Sequence, residues 1–126
     1  MYAKTPTNED LYGKAVVAEK NLKRITVKYL SGKKQTYNIR QFDAVVWNIE
    51  PNPTDLRVGT LVIASDEEHG REQSMSRGRL REIKTNARKR TTYLVDFFDG
   101  RSVWVTLGKM RAIPEGDQTG KYILHL

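Results

Sequence analysis

Two stretches of alternating apolar and polar residues, each closed by a glycine turn, constrain this chain more than any other feature. In Lys23–Leu30 and in Thr91–Phe98, every second residue along the middle of the segment is β-branched or aromatic. This period of two places the apolar side chains on one face of an extended strand. The first stretch ends at Ser31-Gly32 and the second at Asp99-Gly100. Glycine adopts positive φ readily, so both sites predict tight hairpin turns.

Further strands are predicted where β-branched and aromatic residues cluster between turn-forming residues. These strands are Lys14–Glu19, Gln35–Ile39, Gly59–Ser65 and Arg101–Thr106. Arg79–Lys84 fits either an interrupted strand or a helical turn, because the apolar alternation breaks there. No segment carries a helical period over ten residues, so the sequence predicts an all-β fold.

An internal repeat divides the chain. A shift of about 64 to 68 positions places residues 29–33 on residues 97–101 and residues 13–17 on residues 78–82. Pro51 and Pro53 interrupt any strand pairing between the copies. We therefore predict two small barrels packed in tandem, 1–53 and 54–115, followed by 116–126 as a tail or added strand. The first barrel shows no counterpart of Gly59–Ser65. Either this barrel is truncated, or Tyr2–Thr5 or Lys121–Leu126 fills the position, and we expect it to be covered because an open sheet edge invites aggregation.

Composition excludes several classes of protein. The 126 residues contain no cysteine, which rules out disulfide scaffolds, thiolate metal sites and thiol catalysis. No apolar run approaches the ~20 residues of a membrane span, so no membrane association is expected. The two histidines, His69 and His125, form no catalytic or metal-binding motif. The sequence predicts a protein that is not an enzyme and that uses no cofactor or metal. The net charge of +7 favours acidic partners.

Three strings in the second half, VGTLVIAS, RGRLREI and YLVDFFDGRSVWVTLGKMRAIPE, resemble a Tudor domain. With KAVVAEK and ITVKYLSGKKQTYNI upstream, the pair is similar to the tandem Tudor region of SETDB/eggless-type histone H3 lysine methyltransferases. The resemblance implies two SH3-like barrels that form a non-catalytic segment of a nuclear, chromatin-associated protein.

Tudor domains hold a methylated ammonium group in a cage of aromatic rings, because ring faces attract a weakly hydrated cation. The resemblance implies that both cages are depleted in this chain. In the second half only Phe98 is aromatic and only Asp99 matches the expected acid, and in the first half a basic residue occupies a ring position. The cage positions carried over are Asp66, Ser76, Phe98, Asp99 and Arg101 in the second half, and Tyr29, Ser31 and Lys33 in the first.

The favoured hypothesis is therefore a peptide held in a groove between the barrels. Phe98, Asp99 and Trp104 are predicted to form its walls, helped by Tyr29 and Tyr37. Trp47 lies beside the proline linker, where it either packs the two units together or faces the groove. The expected partner is a histone H3 tail or another chromatin protein.

Nucleic-acid binding is the alternative hypothesis. Seven basic residues lie between Arg77 and Arg90, and only Glu82 opposes them. Such a cluster can bind phosphates by releasing counterions, and it can equally meet an acidic peptide or the acidic run Asp66–Glu68. Stacking on bases requires aromatic rings beside the charge, and the run itself contains none. The residues assigned to this alternative are Arg79, Arg81, Arg88, Lys89 and Arg90.

Overall fold

The computed structural model describes residues 1–41, 43–65 and 74–113. It confirms the all-β fold class. Within the described residues, regular structure consists of strands and two short 3₁₀ turns, Pro53–Asp55 and Leu107–Lys109. The strands are β1 (Tyr2–Lys4), β2 (Leu11–Lys20), β3 (Arg24–Tyr29), β4 (Lys34–Asn38), β5 (Val45–Val46), β6 (Leu61–Ala64), β7 (Ser74–Thr85), β8 (Thr91–Phe97), β9 (Ser102–Val105) and β10 (Met110–Ala112).

The two halves of the chain share one strand order. The first half runs β5-β1-β2-β3-β4 and the second runs β10-β6-β7-β8-β9, with every pairing antiparallel. This shared order agrees with the internal repeat. Strands β2 and β7 also pair with each other, from Leu11 opposite Ser76 to Gly13 opposite Ser74. The halves are therefore joined through the first residues of β2 and β7, which are the central strands of the two orders.

The two predicted hairpin turns have equivalent backbone hydrogen bonds. The amide of Tyr29 donates to the Lys33 carbonyl, and the amide of Phe97 donates to the Arg101 carbonyl. Gly32 and Gly100 both adopt positive φ, 88° and 98°. The alignment of Gly13 with Gly78 is wrong by two residues, because Ala15 pairs with Tyr29 where Gly78 pairs with Phe97. Hairpin pairing sets the register, and the two glycines serve different contacts.

Strand β1 fills the position that the first half lacked. Tyr2–Lys4 lies between β2 and β5, so the Tyr2–Thr5 alternative is the correct one. The other alternative, Lys121–Leu126, lies outside the described residues. Arg79–Lys84 is extended within β7, so the helical alternative there is wrong. Strand β7 begins at Ser74, and residues 66–73, which include the predicted cage position Asp66, lie outside the described residues.

Three buried clusters hold the sheet together. One belongs to the first half and is built around Ile25 and Val27. A second belongs to the second half and contains Leu80, Val95 and other apolar residues. The third is shared between the halves and consists of Tyr2, Tyr12, Val46, Leu61, Ile63, Met75 and Ile113. Units of ~60 residues bury too little surface to be robust alone, so this shared cluster contributes stability that neither half supplies by itself.

An ionic contact crosses the same junction. The Asp43 carboxylate lies 2.7 Å from the Lys4 ammonium and 3.2 Å from the Arg77 guanidinium, and all three side chains are largely shielded from water. The Tyr12 hydroxyl donates to the Asp43 carbonyl at 2.5 Å. The Arg77 guanidinium also lies 5.5 Å from the centroid of the Phe98 ring. Asp43 thus ties β1 of the first half to β7 of the second.

Candidate functional site

A cleft of about 740 Å³ opens beside the β3–β4 turn. The first half supplies most of its lining, and Ser74 of β7 supplies a wall from the second half. Tyr29, Ser31 and Lys33, the three cage positions carried over to the first half, all line this cleft. The remaining lining residues are Thr5, Pro6, Thr7, Gly13, Lys14, Leu30, Lys34 and Gln35. The cleft therefore lies at the junction of the halves and at a predicted cage position.

Backbone contacts fix the tyrosine that forms one wall of the cleft. The hydroxyls of Tyr29 and Tyr37 both donate to the carbonyl of Lys4, and they lie 3.3 Å from each other. A methyl group at Gly13 would lie 3.3 Å from the Tyr29 ring, so glycine lets the ring approach the strand closely. Burial raises the pKa of both phenols above the ordinary value of about 10. Tyr29 therefore presents a fixed and neutral ring.

Because burial raises the pKa values of these phenols, we expect the protein to lose stability at alkaline pH. Burial also raises the pKa of Tyr12, whose side chain lies in the cluster shared by the halves. A raised pKa in the folded state stabilises the fold fully below the unfolded pKa of about 10, and this stabilisation is lost as pH rises toward the folded value. We expect the free energy of unfolding to fall by about 1.4 kcal/mol per pH unit above pH 10 for Tyr12 alone.

Urea unfolding at pH 8, 10 and 11 measures this effect. The Tyr12→Phe variant removes the ionisable group and keeps the ring, so its stability should fall less steeply with pH than that of the wild type. Parallel curves for the two proteins would show that Tyr12 ionises no less readily when folded than when unfolded.

The charge of the cleft does not suit a methylated ammonium group. Lys14, Lys33 and Lys34 contribute three ammonium groups, and the described lining contains no carboxylate. Tyr29 is the single aromatic residue of that lining. A cation–π cage needs several ring faces and gains from an acid nearby. The depletion that the resemblance implied for the first half therefore corresponds to a basic cleft with one aromatic wall.

The other predicted peptide-binding residues are not part of this lining. Phe98 is 45% exposed, whereas the preceding residue, Phe97, is buried. Asp99 is exposed and accepts hydrogen bonds from Arg101, whose backbone amide lies 3.1 Å and whose Nε lies 2.9 Å from the carboxylate. These bonds, the backbone one first, lower the pKa of Asp99. The Asp99 carboxylate therefore already has a cationic partner.

The two tryptophans have different surroundings. Trp47 is half-buried against the core of the first half. Trp104 is 42% exposed on β9, and the Lys84 ammonium lies 5.7 Å from the ring centroid. Of the six predicted residues, the structure brings Tyr29 and Tyr37 into contact and leaves Tyr29 as the one that lines the cleft. The peptide-binding roles of all six residues stay predictions.

The basic residues of the alternative hypothesis lie along the β7–β8 hairpin. Residues 81–90 are all exposed, so this arm projects beyond the core. At its tip the side-chain oxygen of Asn86 accepts hydrogen bonds from the backbone amides of Arg88 and Arg90, each at 3.0 Å. The Lys89 backbone has a φ of 60°. The turn therefore has a defined backbone that carries three adjacent cationic side chains.

Sequence reasoning missed Leu30 and Lys34 as lining residues. Leu30 is 67% exposed beside the cleft. The signal was available, because Leu30 is an apolar residue on the polar face of an alternating strand. Lys34 carried no such signal, since its place beside the cleft depends on the hairpin geometry. Nor does a local pattern indicate the contact of Asp43 with Arg77, which joins distant segments.

Within residues 1–41, 43–65 and 74–113, no helix has the length and apolar character needed to cross a bilayer. Over the same ranges, no three histidine or acidic side chains are grouped closely enough to ligate a metal ion. The chain contains no cysteine that could join such a group.

No protein-family model matches the chain, and no curated protein matches it in sequence. Solved structures do share its fold. One is the SAWADEE domain of SHH1 from Arabidopsis thaliana, with 17% identity, a TM-score of 0.55, and coverage of 90% of this chain and 96% of that one. A second is the SHH1 SAWADEE domain in complex with an H3K9me3 peptide, with 16% identity and the same TM-score and coverage. At this identity the likeness establishes the fold alone.

Proposed function

We propose that this chain is a non-catalytic peptide-binding module of a nuclear, chromatin-associated protein. It holds an extended segment of a histone tail or a partner protein in the cleft beside the β3–β4 turn. The observation that carries the proposal is that Tyr29, Ser31 and Lys33 line one cleft, as expected for the first-half cage positions of a Tudor-like unit. The shared fold with a domain solved on an H3K9me3 peptide supports the histone tail as ligand.

The tandem arrangement is part of this proposal. We assign residues 1–53 and 54–115 to two Tudor-like units, supported by the strand order that the halves share. Ser74 then brings the second unit into the cleft of the first. The SETDB/eggless resemblance stays a prediction, since the solved structures described above are SAWADEE domains.

The cleft narrows the kind of peptide that fits. Because the cleft has one aromatic wall and three lysines, trimethylation of a peptide lysine should add little to the affinity. An exposed leucine beside the Tyr29 ring instead offers an apolar contact for a neutral side chain of the peptide. We therefore expect the unmodified H3 tail and the H3K9me3 peptide to bind with affinities within about threefold of each other, which is below ~1 kcal/mol.

Leu30→Ala tests the cleft directly. If a bound peptide covers about half of the Leu30 side chain, truncation to alanine should cost about 1 kcal/mol of binding free energy. This loss would weaken the binding of both peptides about fivefold. Leu22→Ala is the matched control, because Leu22 is also exposed and lies in the β2–β3 turn at the other end of the hairpin. Isothermal titration with each peptide measures the change. Equal affinities for the two variants would reject the cleft as the binding site.

The prediction for the second half needs a separate variant. If Phe98 forms part of the predicted groove between the barrels, the Phe98→Ala variant should bind the peptide more weakly than the Leu30→Ala variant does. Unchanged binding by Phe98→Ala would remove Phe98 from the site and leave the first-half cleft intact.

A further inference from the structure

Strands β7, β8 and β9 present an exposed sheet face that combines an aromatic ring with positive charge. Glu82, Leu94 and Trp104 lie opposite one another across the three strands, so their side chains share a face. Lys84 reaches the Trp104 ring from the same side. The sequence did not show this arrangement, because Trp104 lies fourteen residues beyond Arg90 in the chain. Strand pairing brings the ring back beside the basic arm.

Cations outnumber carboxylates on this face and at its tip. Arg79, Arg81 and Lys84 come from β7, and Arg88, Lys89 and Arg90 come from the turn. The opposing acids are Glu82 and Asp96, and Asp96 is engaged by the Ser102 hydroxyl at 2.6 Å and approached by Arg81 at 3.7 Å. An exposed ring bordered by a net positive charge is the combination that single-stranded nucleic acids require, since bases stack on the ring and phosphates meet the cations.

We propose that this face binds single-stranded nucleic acid, with a base stacked on Trp104 and the backbone running along the arm toward Arg88–Arg90. Lys84 lies near the ~6 Å limit of a cation–π contact and is solvent-exposed, so a base can displace it at low cost. The displaced ammonium then meets a phosphate. The tip lies two residues beyond Lys84, or about 7 Å along the strand. This site goes beyond the peptide cleft, whose described lining contains no residue of the arm.

The first experiment tests whether a base stacks on the Trp104 ring. With a fluorescent 15-nucleotide oligo-dT at low salt, Trp104→Ala should weaken binding about 5- to 150-fold, which corresponds to the loss of one base stack. Trp104→Phe keeps an aromatic face and should retain most of the affinity. Leu30→Ala, which alters the peptide cleft, should leave oligo-dT binding unchanged. Equal affinities for the wild type and Trp104→Ala would overturn the proposal, as would the absence of wild-type binding.

The second experiment tests whether the basic residues at the tip of the arm contact phosphates. The plot of log affinity against log salt concentration has a negative slope. In the double variant Arg88→Gln/Lys89→Gln this slope should become shallower by about 1.4, at ~0.7 per phosphate contact. The pair Lys23→Gln and Arg24→Gln removes the same charges from the β2–β3 hairpin and serves as the control. Equal slopes for the two double variants would contradict the proposed path. A duplex of the same length that binds as tightly, without dependence on Trp104, would show nonspecific attraction to phosphates and reject the stacking site.

Discussion

Replacing Gly78 with alanine is expected to destabilise the fold by at least about 2 kcal/mol. A methyl group at this position would lie 2.6 Å from the Asp96 carbonyl oxygen and 2.8 Å from a methyl of Val95. The nearer atom belongs to the backbone of β8, so the strand itself must shift to relieve the clash. Overpacking a buried site costs about 1–3 kcal/mol even where side chains can adjust. Gly78 sits where β7 contacts both β6 and β8, so the shift would disturb two pairings.

Gly13→Ala is the matched control for this prediction. Gly13 also lies in the second strand of its half, but the nearest atom to its added methyl is the Tyr29 ring at 3.3 Å. A shift of a few tenths of an ångström relieves this contact without breaking the hydrogen bond of the Tyr29 hydroxyl, so we expect a change below about 1 kcal/mol. Urea unfolding of the two variants measures the difference. Equal destabilisation would show that β8 accommodates a side chain that the structure excludes.

Replacing Asp43 with alanine is expected to cost about 2–3 kcal/mol of stability. The change leaves the Lys4 ammonium and the Arg77 guanidinium close together without their shared carboxylate. Removing one partner from a buried ion pair costs about 3–5 kcal/mol, and the partial exposure of this network lowers the expected value. The Arg77 Nε is buried without a hydrogen-bond partner in the described structure, so the guanidinium depends heavily on Asp43.

Asp99→Ala provides the comparison, because Asp99 also pairs with an arginine at 2.9 Å but lies in an exposed turn. Its loss should cost at most about 1 kcal/mol. Thermal or urea unfolding distinguishes the two variants. In a double-mutant cycle, Arg77→Met should reduce the cost of Asp43→Ala, since the stranded cation is then absent. A simple sum of the two single effects would contradict the proposed tie between the halves.

The strand content was predictable because its signals are local. Alternation along β3 and β8 and the glycines at residues 32 and 100 specify hairpins through the period of the pleat and the φ that a turn requires. Strands β1 and β5 were harder, because they are only three and two residues long. Such segments become strands when a neighbouring edge pairs with them, and a short sequence window carries little of that information.

The candidate site was predictable in part. The Tudor resemblance indicated Tyr29, Ser31 and Lys33, and these residues share the cleft. The groove with Phe98 and Trp104 stays a prediction; the structure places the Arg77 guanidinium beside the Phe98 ring and the Lys84 ammonium beside the Trp104 ring. Which rings meet which charges depends on the pairing of strands that lie far apart in the chain. Cross-strand neighbours follow from register, and a two-residue error, such as that made for Gly13, changes every one of them.

By itself, the amino-acid sequence determined the all-β class and the two principal hairpins, because strand periodicity and glycine turns act over a few residues. The tertiary structure alone decided how the copies join through β2 and β7, which segment completes the first half, and that the cleft is basic. These features depend on contacts between residues tens of positions apart. Their energies arise from burial and charge pairing in the folded chain, which local patterns do not encode.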